Sequence, residues 1–247
     1  TTQNILNDTR KRAILRQMRK SNSQEVASAF EAMRKSPWSI KGSLYGLKDL
    51  TRYDSNIKDD NVRSLGIVIA SGSLAKLKEL WLGGNKIGDD GMKAFASAIA
   101  NGSLAKLTSL NLASNRISDP GMASFADAIA RGSLANLKEL SLWGNQIGDE
   151  GMKAFASAIA SGFLANLQIL RLSNNQIGDA GMVALAGAMG SLANLTTLWL
   201  NNNKIRNEGM KAFASAIASG ALPVVRLIHL ADNPGSPAPV QRALDER

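Results

Sequence analysis

A unit of about thirty residues, LKELWLGGNKIGDDGMKAFASAIANGSLAK from Leu77, recurs with starts at Leu107, Leu137, Leu167 and Leu195. A diverged copy, LKDLTRYDSNIKDDNVRSLGIVIASG, begins at Leu47, and a truncated one, VRLIHLADNPG, begins at Val225. Seven units thus fill 44–234. The spacings are 30, 30, 30 and 28, the last shortened by two missing residues around Gly190. A period of this length marks a solenoid, in which each unit is too small to bury its apolar face and does so only against its neighbours.

Two periodicities follow one another inside the unit. Leu77, Leu80 and Leu82 open it, and the last two alternate with outward residues as a short strand requires. Asn85 and a turn through Gly88 and Asp89 come next. Met92, Phe95, Ala96 and Ile99 then recur at i, i+3, i+4 and i+7, the apolar stripe of a helix. The decapeptide GMKAFASAIA stands unchanged at 91–100, 151–160 and 209–218. Ala94, Ala96, Ala98 and Ala100 let stacked helices approach closely while Phe95 and Ile99 fill the space beneath, so the repetition points to packing rather than chemistry. Asp89, Asp119, Asp149 and Asp179 are expected to cap the helices they begin, and Gly102, Gly132 and Gly162 suit helix exits in left-handed backbone. Asn85, Asn115, Asn145, Asn175, Asn203 and Asn233 form a column whose amides are expected to satisfy loop backbone groups.

The pattern LxxLxLxxNxIxDxGMxAxAxAI resembles the leucine-rich repeat family, in particular the long-repeat subtype of ribonuclease inhibitor, NOD-like receptors and Ran GTPase-activating proteins. It is also similar to tandem arrays in algae and other protists. The resemblance covers most of the chain. It implies an α/β solenoid, a horseshoe with an inner parallel sheet and outer helices.

Solenoid ends need caps. Residues 1–43 read as a basic helical cap or docking arm, 44–234 as the solenoid and 235–247 as a carboxyl-terminal cap. Within the first segment, Ser23 or Asn22 can start a helix bearing Val26, Ala29, Phe30 and Met33. An earlier helix at about 9–20 carries Arg10, Lys11, Arg12, Arg16, Arg19 and Lys20, a face that suits capping or docking equally. Residues 1–43 hold nine Lys/Arg against three acids, a net +6 of the total +9. Their contact with an acidic protein, a membrane surface or a membrane protein is therefore an alternative to simple solvation. Without interleaved aromatics or a recognisable motif, nucleic acid is disfavoured. At the other end, PGSPAPVQRALDER can form a short helix bearing Val240, Ala243 and Leu244.

With the register set, outward strand positions line up as columns. One reads Thr51, Trp81, Asn111, Ser141, Arg171, Trp199 and His229; the next reads Tyr53, Gly83, Ala113, Trp143, Ser173, Asn201 and Ala231. Three of four tryptophans thus fall on the concave face. Tyr53, Trp81, Asn111, Trp143, Arg171, Trp199 and His229 are the candidate partner-binding residues, because buried Trp and Arg dominate interface energetics. Packing against neighbouring side chains is the alternative. Arg171 could anchor a carboxylate or phosphate but, like His229, is expected to stand solvated. Lys48, Lys78, Lys138 and Arg226 lie beside Asp49, Glu79 and Glu139, so the surface reads as mixed in charge. Units starting at 77, 137 and 195 carry both the decapeptide and a tryptophan, as duplication of a two-unit block would leave them.

Catalysis needs tuned groups in mutual reach. The chain has no cysteine and a single histidine, His229, with no identifiable nucleophile or orienting acid. The acid pairs at 89–90 and 149–150 fit helix starts better than a metal site. No catalytic residue, metal ligand or cofactor is assigned. The expected function is a non-enzymatic protein-binding module using the concave face. Alternatives are a structural linker in a larger assembly, held through the basic amino-terminal helices, and a GTPase-activator-like regulator. The acidic tail typical of Ran GTPase-activating proteins is absent, and a basic, cysteine-free chain departs from the acidic, cysteine-rich ribonuclease inhibitors. No apolar run is long enough to span a bilayer. The chain reads as soluble and intracellular, cytoplasmic or organellar, and its start at Thr1 leaves room for a removed leader.

Overall fold

Seven three-residue strands form one parallel sheet in chain order: β1 (Asp49–Thr51), β2 (Glu79–Trp81), β3 (Ser109–Asn111), β4 (Glu139–Ser141), β5 (Ile169–Arg171), β6 (Thr197–Trp199) and β7 (Leu227–His229). The computed structural model describes residues 23–35, 37, 38, 44 and 46–246. Pairing is in register with the repeat. Leu50, Leu80, Leu110, Leu140, Leu170, Leu198 and Ile228 stand opposite one another, and the six leucines are buried.

Each strand but the last returns through a helix on the opposite side: α2 (Asp59–Ala70), α3 (Asp89–Ile99), α4 (Asp119–Ala130), α5 (Asp149–Ala160), α6 (Asp179–Ala188) and α7 (Asn207–Ala218). A helix described over 23–34, α1, precedes the sheet, and α8 (Ala238–Asp245) follows it. Neighbouring strands pack about 4.8 Å apart, whereas packed helices need about 8–10 Å. The stack therefore curves with its sheet inside and its helices outside.

Met92, Phe95 and Ile99, with their counterparts in the next two units, are buried in one continuous core with the strand leucines. The Phe95 and Phe125 rings lie 6.2 Å apart. Gly102, Gly132 and Gly162 take φ of +77°, +88° and +82° at the helix exits, as expected. The missing residues near Gly190 replace that exit: α6 is cut to ten residues and runs into a 3-10 turn at Met189–Ser191.

The asparagine column does what its position predicts. Asn145 donates from Nδ2 to the carbonyls of Leu112 (3.0 Å) and Leu142 (3.1 Å), and its Oδ1 accepts from the Ile117 N–H (3.0 Å). Asn115, Asn175, Asn203 and Asn233 repeat the pattern. Asn85 begins it, accepting from Ser55 and Ile57 and donating to the Arg52 carbonyl.

The aspartates correct an expectation. Asp149 is the first residue of α5, where its charge complements the helix dipole. Its Oδ1, however, accepts from the N–H groups of Gly178 (2.7 Å) and Gly181 (2.8 Å), which begin α6. Asp89 does the same for Ser118 and Gly121, and Asp179 for Arg206 and Gly209. Each of α3 to α7 is capped by the unit before it. For α3, α5 and α6 the reason is local, since Gly88, Gly148 and Gly178 occupy the N-cap positions and have no side chain to offer. The Ser118 hydroxyl at the start of α4 itself donates to Asp89. The leading glycine of the decapeptide follows from the same relay, since a Cβ on Gly151 or Gly181 would stand 2.6 or 2.7 Å from the capping carboxylate. Asn207 passes the relay on to the Ser236 N–H. Asp149→Ala is expected to cost about 2 kcal/mol, and hydrogen exchange should show the first turn of α6 opening before that of α5. Equal protection of both turns would contradict the relay.

At the amino end, Ala29 and Met33 of α1 are buried with Trp38 and Leu44 in the common core, and the Trp38 carbonyl accepts from Arg52 Nε (2.6 Å). Of the expected face of Val26, Ala29, Phe30 and Met33, the second and fourth are buried and the other two half-buried. At the carboxyl end Val240 and Ala243 of α8 are buried, and α8 packs on α7. Asn22, the segment 9–20 and its Arg10, Lys11, Arg12, Arg16, Arg19 and Lys20 lie outside the described residues. Among the described residues, no helix is long and apolar enough to cross a membrane.

Candidate functional site

The pleat turns alternate strand residues away from the core, and the pairing places Thr51, Trp81, Asn111, Ser141, Arg171, Trp199 and His229 side by side on the inner face. The candidate residues occupy this face in three groups. They are not equally available.

The first group is at the amino end. Tyr53 lies across Gly83, whose lack of a side chain makes room for the ring. The ring meets Trp81 edge-on at 6.1 Å, and the Tyr53 hydroxyl accepts from Asn111 Nδ2. Trp81 is half-buried and donates from Nε1 to Ser109 Oγ (3.0 Å). Burial holds the Tyr53 hydroxyl pKa above its usual value; the Glu139 charge adds to this, Arg171 opposes it, and Asp54 adds less.

The central group holds Trp143 and Arg171. Trp143 is 42% exposed. Its column neighbours, Ala113 and Ser173, are too small to cover it. Arg171 departs from the expected solvated side chain: its guanidinium pairs with the Glu139 carboxylate one strand back. Ser141, between them in register, is buried.

The third group is at the carboxyl end. His229 was expected to stand alone in solvent, but its ring lies 4.1 Å from that of Trp199, inclined at 35°. One ring covers the other because the two residues are register partners on β6 and β7. Trp199 Nε1 is covered and has no acceptor among the described residues.

Two residues on this face were not singled out from the sequence. Ile169 and Leu227 occupy the column that holds Asp49, Glu79 and Glu139 in earlier units. Leu227 is 42% exposed. Reading that column past its acids, through Ile169, Thr197 and Leu227, is the signal that finds them. Among the described residues, no group of three or more His, Asp or Glu is placed to hold a metal ion.

A curved stack of strand–helix units with a side-chain-bearing inner sheet defines a repeat solenoid. Leucine-rich repeat models match residues 73–96, 103–126 and 133–156, and a two-copy leucine-rich repeat model matches 165–208. The chain is a leucine-rich repeat protein. Among solved structures it is similar to internalin C2 from Listeria monocytogenes, at 27% identity over 85% of this chain and 84% of that one, with a TM-score of 0.49. The comparison with curated proteins gives no match.

Proposed function

We propose that the chain is a non-enzymatic protein-binding module that works through its concave sheet face. Leucine-rich repeat proteins generally mediate protein–protein contacts. The observation that carries the reading here is Trp143. A large ring left 42% exposed at the middle of the sheet, between Ala113 and Ser173, contributes little to the fold. An aromatic side chain near the centre of an interface, buried by a partner, is in contrast a typical hot spot worth about 2 kcal/mol or more.

The test uses native pull-down with cross-linking on the full chain. Trp143→Ala is expected to weaken association about 30-fold with the thermal transition unchanged. Trp81→Ala, Trp143→Ala and Trp199→Ala together should abolish it. Native associations that survive the triple change, in a protein whose circular dichroism is intact, would rule out the concave face. The long-repeat subtype is part of the same proposal, supported by the 30-residue period and the full helix in each unit.

A further inference from the structure

The inner face changes character along the stack. In the column opened by Asp49 and Glu79, the residues of β5, β6 and β7 are Ile169, Thr197 and Leu227. Trp199 lies beside them with His229 against its ring, so the carboxyl-terminal three strands present aliphatic and aromatic side chains interrupted by Thr197. The amino-terminal strands present carboxylates instead. Glu139 is neutralised by Arg171, whereas Asp49 and Glu79 have no ion pair among the described residues. Lys48 and Lys78 stand one residue earlier and are exposed, and neither pairs with these acids.

We propose that the concave face takes one protein segment of two-part chemistry, with aliphatic or aromatic side chains over Ile169, Trp199 and Leu227 and Lys or Arg side chains over Asp49 and Glu79. The inference rests on the concave-face reading above and specifies its partner. The two halves are separated by four to five strand spacings, about 22 Å. That distance is about seven residues of extended chain or about fifteen of helix. Between them the segment crosses Trp143 and the internally neutralised Arg171–Glu139 pair, so the middle of the partner needs no charge. An acidic segment would face two carboxylates that hold no ion pair among the described residues, and such like-charge contacts suppress wrong partners.

The probe is a displayed library of random peptides about twenty residues long, enough to span both halves in either conformation, selected on the full chain. Enriched peptides are expected to carry an apolar cluster and a Lys/Arg cluster at one of those two separations. Asp49→Lys with Glu79→Lys should weaken them about tenfold at low salt and less at high salt. Ile169→Ser with Leu227→Ser should weaken them about tenfold or more, with melting curves confirming that each variant folds. Peptides that lose binding to the triple tryptophan variant but lack a basic cluster, or ignore the charge reversal, would overturn the two-part chemistry and leave the concave-face reading standing. Peptides indifferent to the tryptophans, or a selection without enrichment, would overturn both.

Discussion

Phe125→Ala should destabilise the protein by about 4 kcal/mol, while Phe125→Leu should cost about 1 kcal/mol. Phe125 is fully buried and its ring meets that of Phe95. Truncation leaves a cavity that cannot collapse, because the helices on both sides are held at a separation set by four other core positions in each unit. Leucine is tolerated for a reason visible in the chain itself: α6 carries Leu185 at the equivalent position, fully buried in the same core. In a stack whose units contact only their neighbours, a weak interface also divides the cooperative unit. Urea unfolding of Phe125→Ala should therefore broaden or split when followed both by helix content and by tryptophan fluorescence. A single sharp transition shifted by less than 2 kcal/mol would show that the phenylalanine does not bridge its neighbours as described.

The fold was legible because a repeat states its contacts many times over. Leu80 and Phe95 each recur at the repeat spacing, so strand, helix and the stacking direction follow from period alone. The capping relay was not legible from one unit. Asp149 begins one helix and lies one unit ahead of the next, and both positions offer free N–H groups to a carboxylate; only the stacking geometry decides that it serves Gly178 and Gly181. The inner face was half legible for a related reason. Columns named the outward residues correctly, but reading each residue singly hid what its neighbours do. Arg171 and Glu139 are diagonal partners on adjacent strands, and Trp199 and His229 are direct ones. Strands about 4.8 Å apart bring such side chains into contact before any partner arrives. Trp143 escapes this because its column neighbours are small, and it stays as exposed as Tyr53 without a ring or hydroxyl partner in its own column.

Asn145→Ala is the second substitution expected to be severe, at about 3 kcal/mol, against about 1 kcal/mol for Asn233→Ala. The difference comes from what each amide leaves behind. The Leu112 and Leu142 carbonyls that Asn145 serves also accept from Asn115 and Asn175, so each keeps one partner after the change. The Ile117 N–H has no such reserve: Asn145 Oδ1 is its acceptor, and the bond is buried. Removing the amide strands that donor inside the core and leaves a void beside it. Asn233 makes the equivalent bond to the Ile205 N–H, but at the half-buried end of the column, where water can substitute. Asn145→Asp separates the two contributions, since its carboxylate still accepts from Ile117 while the Nδ2 bonds are lost and a charge is buried. Equilibrium unfolding of the three variants should order them with Asn233→Ala mildest. Equal losses for Asn145→Ala and Asn233→Ala would show that the column acts through turn geometry rather than through the burial of its hydrogen bonds.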